Sequence, residues 1–155
     1  MTSVISRADH IFALTQSLCS SFAAKKPFTA ILSHFTETQE PVIIEHCSIK
    51  IPQLPFLSTF RGPQIAEYFE LLAELFEFED MKFYDWTLDV ESERVCVKAT
   101  AKFTWKKTQQ SWNETFTYSF TEFDEDGKIG KYEVWGDPLT AYLASKGELK
   151  GQIAP

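Results

Sequence analysis

Residues 112–123, WNETFTYSFTEF, alternate between two kinds of side chain. The even positions from 112 to 120 are large and apolar except for Glu114, and the odd positions from 113 to 121 are small and polar. Because successive side chains of a strand point to opposite faces, this pattern predicts a strand with one buried face. Glu114 would then point inward with Trp112, Phe116 and Tyr118. A carboxylate is costly to bury, so the pattern raises the question of what Glu114 does.

The composition predicts one globular domain over residues 1–155, with its core at about residues 8–145. Hydrophobic residues make up 44% of the 155 residues and aromatic residues 15%, which is typical of a folded domain with an aromatic interior. The 15 Lys and Arg residues against 22 Asp and Glu residues leave a net charge of −7. This charge opposes binding to nucleic acid and to anionic membranes, so we expect neither as a partner.

Cysteine usage and the N-terminal segment favour a cytoplasmic protein. The three cysteines, Cys19, Cys47 and Cys96, have no metal-binding or redox spacing, which is typical of reduced thiols. Residues 11–24 are moderately apolar and could be mistaken for a signal peptide, but polar residues interrupt them and their apolar positions have helical spacing. No segment is long and apolar enough to cross a bilayer.

Four helices are predicted. The first covers about residues 6–24 with Ser6 as N-cap, and a short second helix begins at Pro27. The third covers residues 63 to about 78, and its apolar stripe includes Phe69. The last covers residues 138 to about 144, with Asp137 as N-cap.

The remaining segments predict strands. Five strands are predicted, and in the second of them Tyr84, Trp86 and Leu88 alternate on one face. The others cover residues 42–47, 95–105, 112–123 and 129–135. The order of elements predicts an α+β fold in which a curved, mostly antiparallel sheet wraps around the helices. Such a sheet can leave a pocket at its open end.

The register of the last hairpin decides which side chains share the inner face. A two-residue turn at Asp126-Gly127 pairs Phe120 with Glu133 and Tyr118 with Trp135. Directly paired residues share a face, so Glu133 and Trp135 are predicted to point inward. One extra residue in the loop would turn both outward.

The preceding hairpin is predicted to place alanines opposite aromatic residues. Symmetrical pairing puts Phe103 opposite Glu114, with two alanines farther along opposite Phe116 and Tyr118. Such alanines either leave space or let a helix approach.

The predicted inner wall carries groups suited to acid/base chemistry. Glu114 or Glu133 would move a proton, Tyr118 would stabilise an oxyanion, and His46 or Glu45 would be a second acid or base. The strand VIIEHC points either Glu45 or His46 inward, and its alternation does not decide which. The aromatic residues predicted to bind the substrate are Trp135, Trp112, Phe116, Phe103, Phe69 and Tyr84. In the alternative interpretation, Glu114 forms a structural ion pair with Lys106 or Lys107.

Three segments resemble the SnoaL-like branch of the nuclear transport factor 2-like superfamily, especially its small fungal members. They are LPFLSTFRGPQIAEYFELL, WNETFTYSFTEFDEDGKI and YEVWGDPLTAYLAS. The resemblance implies a cone-shaped α+β barrel, a deep pocket between sheet and helices, and a homodimer formed through the outer sheet faces. It also implies acid/base chemistry without a cofactor. The inward Asp/Tyr pair of ketosteroid isomerase and the His pair of scytalone dehydratase are absent, so neither activity carries over.

Two functions follow as hypotheses. The first is a cofactor-independent isomerase, cyclase or dehydratase that acts on a small, largely apolar, carbonyl-bearing metabolite. The sequence has no phosphate-binding loop, metal-ligand cluster or nucleophile elbow to indicate other chemistry. The second is a non-catalytic module for binding a small ligand or for dimerisation.

Overall fold

The computed structural model describes residues 5–150. The ends of the predicted single domain, residues 1–4 and 151–155, lie outside the described residues. The helices are α1 (Arg7–Ala23), α2 (Phe28–Leu32), α3 (Ile65–Leu75) and α4 (Pro138–Ser145), with a 3-10 turn at Gly62–Gln64. The strands are β1 (Val42–Glu45), β2 (Thr59–Arg61), β3 (Phe76–Asp89), β4 (Arg94–Trp105), β5 (Ser111–Thr121) and β6 (Lys131–Trp135).

One six-stranded sheet in the order β2-β1-β6-β5-β4-β3 forms the centre of the fold. All neighbouring strands are antiparallel except β1 and β6, which are parallel. The buried core contains Ile11, Leu18 and Phe22 of α1 together with Tyr68 and Phe69 of α3. The predicted α+β class, with a curved and unclosed sheet against helices, is confirmed. None of the helices between residues 5 and 150 has the length and apolar character that a bilayer crossing needs.

The helix N-termini form as their capping residues predict. The Ser6 hydroxyl accepts the backbone N–H of Asp9 at 3.1 Å, and the Asp137 carboxylate accepts that of Thr140 at 3.0 Å. Each bond satisfies an N–H that has no partner within its own helix. Pro138 occupies the first turn of α4, where its missing N–H costs nothing.

Helix α3 is shorter than predicted. It ends at Leu75, and Phe76 already has extended backbone angles. Phe76 and Phe78 pair with Trp105 and Phe103 of β4, so these apolar residues belong to the sheet. The segment fits a period of two as well as a helical period, and tertiary pairing decides between them.

Strand β3 contains two irregularities that reverse its faces. Asp80 and Asp85 have positive φ angles of 55° and 54°, and the pairing with β4 shifts register around each of them. A bulge adds one unpaired residue, so the inner set moves by one position. Phe83 and Trp86 pack against the core, whereas Tyr84 lies on the outer face and is 38% exposed. The predicted inward position of Tyr84 is therefore wrong.

The loop between β5 and β6 differs from the predicted two-residue turn. The Asp124 carboxylate accepts the backbone N–H groups of Asp126 and Lys128, which organises a longer loop. Gly130 lies against the chain at Glu122, where a Cβ would be 2.1 Å from the backbone oxygen. This loop changes the register of β6 by one residue.

The observed pairing places Tyr132 and Val134 of β6 on the inner face of the sheet. Phe120 pairs with Tyr132, and Tyr118 pairs with Val134. Glu133 and Trp135 pair with Ser119 and Thr117 on the outer face, so their predicted inward position is wrong.

The hairpin between β4 and β5 is offset by two residues from the prediction. Phe103 pairs with Trp112, and Glu114 pairs with Ala101, because a tighter loop joins the strands. The predicted pair of Phe103 with Glu114 is therefore wrong. A shift of two keeps every side chain on its predicted face, so Glu114 and Tyr118 still point inward.

Candidate functional site

A cavity of about 350 Å³ lies between the inner face of the sheet and the helices. Most of its lining is apolar or aromatic, which is typical of small-molecule sites. Of the predicted substrate-binding residues, those that line it are Trp112, Phe116, Phe103 and Phe69. Its ionisable and hydroxyl-bearing lining residues on the sheet and on α3 include Glu45, Glu114, Tyr68, Tyr118 and Tyr132.

Glu114 enters the cavity from the inner face of β5. The indole N–H of Trp112, two residues earlier on the same face, donates to Oε1 of Glu114 at 2.8 Å. Burial raises the pKa of Glu114 to about 7, while the indole and the backbone N–H of Asp137 act in the opposite direction. A raised pKa near neutrality suits a group that exchanges protons with a substrate.

The alternative ion pair of Glu114 with Lys106 or Lys107 is not formed among residues 5–150. Nζ of Lys106 instead donates to the backbone carbonyl of Ala73 at 2.5 Å. The structural explanation for the inward carboxylate thus lacks its partner in the described chain.

Glu45, and not His46, is the inward residue at the end of β1. The Tyr68 hydroxyl donates to Oε2 of Glu45 at 2.7 Å. Burial raises the pKa of Glu45 to about 8, the charge of Glu114 raises it further, and the bond from Tyr68 opposes both. The choice that the strand pattern left open is therefore decided by the packing of α3 on the sheet.

Three of the predicted site residues form a separate group on the outer face of the sheet. The His46 ring stacks on Trp135 with centroids 4.4 Å apart, and its Nε2 lies 3.1 Å from Oε1 of Glu133. Trp135 is 43% exposed. The prediction that Glu133 and Trp135 lie on the inner wall is wrong, because the register of β6 directs them outward. His46, one of the two alternatives left open for β1, also lies on the outer side, because Glu45 is the residue that pairs beside the inward Val134.

Two tyrosines of the cavity were missed by sequence reasoning. Tyr68 lies in the apolar stripe of α3, where its pattern is that of a core residue. Tyr132 precedes Glu133, so the predicted register with Glu133 inward left Tyr132 off the inner face. Tyr118 was predicted to point inward, and its ring centroid lies 4.9 Å from that of Tyr132. Burial raises the pKa of all three tyrosines, so each hydroxyl keeps its proton at neutral pH.

Both carboxyl groups lie close to Gly136, which follows β6 and lines the cavity. A Cβ on Gly136 would lie 2.8 Å from Oε2 of Glu114 and 3.9 Å from Oε1 of Glu45. The other oxygen of each carboxyl accepts a hydrogen bond from an aromatic side chain, Trp112 or Tyr68. The absence of a side chain at position 136 therefore makes room for the carboxyl group of Glu114. No signal in the sequence singled out Gly136.

This arrangement can provide an acid and a base at one place. Two neighbouring carboxyl groups resist double ionisation, so one tends to keep its proton when the other has lost it. Among residues 5–150, no cluster of three or more histidine, cysteine or acidic side chains is arranged to hold a metal ion. The chemistry available from these side chains is proton transfer.

Comparisons with known proteins identify the fold. No protein-family model matches the sequence, and no curated protein matches it at a significant level. Solved structures match over nearly the whole chain. A protein from Bacillus subtilis described as a candidate isomerase has a TM-score of 0.74 at 12% identity, with 92% of this chain and 96% of that chain covered.

Two further structures match to a similar extent. The BvnE pinacolase from Penicillium brevicompactum has a TM-score of 0.69 at 14% identity and covers 95% of this chain and 99% of its own. An NTF2-like protein from Burkholderia thailandensis has a TM-score of 0.68 at 18% identity, with 87% and 96% covered. The chain thus has the nuclear transport factor 2-like fold, and the resemblance of its sequence to SnoaL-like proteins is confirmed at the level of the fold.

Proposed function

We propose that this protein is a cofactor-independent enzyme that uses acid/base chemistry on a small, largely apolar, carbonyl-bearing metabolite. The reaction would be an isomerisation, a cyclisation or a dehydration. The observation that carries this proposal is the position of Glu45 and Glu114 beside Gly136 within an aromatic cavity. Burial raises the pKa of both carboxyl groups towards neutral pH, where a proton can be gained or lost during turnover.

The geometry favours Glu114 as the base. Two N–H donors, the Trp112 indole and the backbone of Asp137, favour the ionised form of Glu114, whereas a single hydroxyl, that of Tyr68, favours the ionised form of Glu45. Oε1 of Glu114 is held by the indole of Trp112, and Oε2 faces the space beside Gly136. This oxygen would remove a proton from the carbon next to the substrate carbonyl.

Glu45 would act as the acid and Tyr68 would position it. Oε2 of Glu45 accepts the Tyr68 hydroxyl, which leaves Oε1 to carry the proton towards the substrate. Donation to the carbonyl oxygen neutralises the charge that develops when the base acts, so the intermediate is an enol. Tyr118, predicted to stabilise an oxyanion, lines the same cavity as a neutral hydroxyl donor.

The names of the structural neighbours agree with this class of reaction. A pinacolase and a candidate isomerase are among the proteins with this fold. Their identities of 12% and 14% support the fold alone, so the reaction rests on the carboxyl pair.

Exchange of carbon-bound hydrogen tests the proposal. Deoxybenzoin, a flat apolar ketone, is incubated with the protein in deuterated buffer, and loss of its α-proton signal is followed by NMR. We expect enzyme-dependent exchange that Glu45→Gln and Glu114→Gln each reduce by about 100-fold or more. Glu70→Gln, at an exposed position of α3, is the matched control. Saturable binding of deoxybenzoin without exchange would support the non-catalytic ligand-binding module instead.

The homodimer implied by the family resemblance is a separate proposal. Tyr84 and Trp135 lie exposed on the outer face of the sheet, and their apolar area supports pairing through that face. Sedimentation velocity should give a dimer for the wild type and a monomer for Trp135→Glu. The proposed cytoplasmic location is supported by free cysteines at positions 19, 47 and 96.

A further inference from the structure

The carboxyl pair has a shared asymmetry that bears on the substrate. In each group, one oxygen is fixed by an aromatic donor, the Tyr68 hydroxyl at 2.7 Å or the Trp112 indole at 2.8 Å. The second oxygen of each group lies close to the same point beside Gly136. The two fixed bonds hold the carboxyl groups in place, so the second oxygens present a preformed pair to the cavity.

The sheet maintains the separation of the two groups. Glu45 ends β1 and lies beside Val134 of β6, and Val134 pairs with Tyr118 of β5. Glu114 precedes Tyr118 in β5 and lies on the same inner face. Both carboxyl groups therefore project from one hydrogen-bonded sheet, and a ligand that bridges them meets two fixed positions.

The protonation of the pair makes the two positions chemically different. A carboxylate only accepts hydrogen bonds, whereas a carboxylic acid donates one. When the pair holds a single proton, it offers one acceptor and one donor, both close to Gly136. The complementary ligand presents a hydroxyl to the acceptor and a carbonyl oxygen to the donor.

We infer that the substrate is an apolar molecule with a hydroxyl and a carbonyl on adjacent carbon atoms, an α-hydroxyketone, whose two oxygens bind Glu114 and Glu45 respectively. This inference rests on the proposed function and names its substrate class. A bound ligand with one oxygen would cover both half-buried carboxyl groups and leave one of them without a hydrogen-bond partner, which costs free energy. The aromatic wall and the volume of about 350 Å³ suit a body of one or two rings.

The reaction that follows is an isomerisation through an enediol. Glu114 takes the proton from the hydroxyl-bearing carbon, and the electron pair of that C–H bond forms a carbon–carbon double bond. The former carbonyl pair moves to its oxygen, which takes the proton from Glu45. Glu114 then gives its proton to the former carbonyl carbon as the carbon–carbon double bond breaks, and the original hydroxyl gives its proton to the ionised Glu45 as its own C=O bond forms. The product is the isomeric hydroxyketone, both carboxyl groups regain their initial protonation states, and there is no net oxidation.

Four compounds with the same two-ring body test the inference by binding. Benzoin carries both oxygens, deoxybenzoin lacks the hydroxyl, 1,2-diphenylethanol lacks the carbonyl, and bibenzyl lacks both. Isothermal titration calorimetry at pH 7 measures each Kd. We expect benzoin to bind about tenfold more tightly than either single-oxygen compound, because each oxygen completes one buried hydrogen bond. Glu45→Leu and Glu114→Leu should each abolish the advantage of benzoin over one single-oxygen compound, while Glu70→Gln should keep it.

A second measurement needs no variant. The indole N–H resonance of Trp112 reports on Glu114 through their hydrogen bond, so saturating benzoin should shift it. Equal Kd values for all four compounds, no binding of benzoin, or an unmoved indole resonance would each overturn the inference. These outcomes are separate from the exchange of deoxybenzoin, which tests the acid/base function by itself.

Discussion

Glu45 and Glu114 project from two strands that β6 separates, yet one oxygen of each lies within 4 Å of the position that a Cβ on Gly136 would occupy. Their other oxygens are held by Tyr68 and Trp112. The site is therefore a pair of half-buried carboxyl groups beside a residue without a side chain.

Gly136→Ala should displace the base. The added methyl group would lie 2.8 Å from Oε2 of Glu114, which is too close for van der Waals contact, so the carboxyl must move. We expect deoxybenzoin exchange to fall by about 100-fold, since displacement of a catalytic group by about 1 Å has effects of this size. Shortening the side chain makes room again, so Glu114→Asp added to Gly136→Ala should recover part of the rate. Glu114→Asp alone is the control, and a double variant slower than both single variants would contradict this role of Gly136.

The carboxyl pair should make folding stability fall with rising pH. The pKa values of Glu114 and Glu45, about 7 and about 8, lie above the ordinary value of 4.5, so the folded state holds these protons more tightly than the unfolded state. The stabilisation is complete below pH 4.5 and is lost as pH rises through 7 and 8. Relative to Glu45→Gln/Glu114→Gln, the wild type should lose on the order of 5 kcal/mol of unfolding free energy between pH 5.5 and 8.5.

Urea denaturation at the two pH values measures this loss. Comparison with the double variant removes the contribution of all other titrating groups. Glu70→Gln should follow the wild type, and parallel pH dependences of the wild type and the double variant would show that the carboxyl groups are not desolvated.

The ionisation of Glu114 should be visible at Trp112. Because the indole N–H donates to Oε1 of Glu114, its proton resonance should shift as the carboxyl loses its proton, with a midpoint near pH 7. Glu114→Gln should remove this transition. Trp86, which packs edge-on against Phe12, is the internal control. A midpoint near 4.5 for Trp112 would exclude Glu114 as a base tuned to neutral pH.

The outer-face group should be dispensable for proton transfer. His46 and Glu133 contact each other and Trp135 on the opposite side of the sheet from the cavity. We expect His46→Gln and Glu133→Gln to keep deoxybenzoin exchange within about threefold of the wild-type rate, whereas loss of a general acid or base costs 100-fold or more. A loss of that size in either variant would show that the substituted residue takes part in proton transfer.

Local sequence signals predicted much of the fold because they act over a few residues. Ser6 and Asp137 cap their helices by accepting the backbone N–H of the residue three positions later. Such caps can be predicted directly from the spacing of residues in the sequence. The alternation in β5 placed Glu114 and Tyr118 inward. Glu114 and Trp112 are two residues apart in one strand, so their shared face was predicted as well.

The wrong predictions of side-chain direction arose where one extra residue in a strand or loop exchanges the inward and outward positions. The bulges at Asp80 and Asp85 turned Tyr84 outward, and the loop built around Asp124 turned Glu133 and Trp135 outward. A period of two makes every prediction of face depend on an unbroken register. The bulges and the loop depend on contacts with the neighbouring strands, which the local pattern does not encode.

The sequence by itself determined the α+β class, the N-termini of α1 and α4 and the inward direction of Glu114, because each depends on short-range periodicity or on a bond between near neighbours. Only the tertiary structure decided that Glu45 rather than His46 completes the site, that Tyr68 holds it, and that Gly136 makes room for the carboxyl group of Glu114. These residues come from β1, α3 and the segment after β6, and long-range packing alone brings them together.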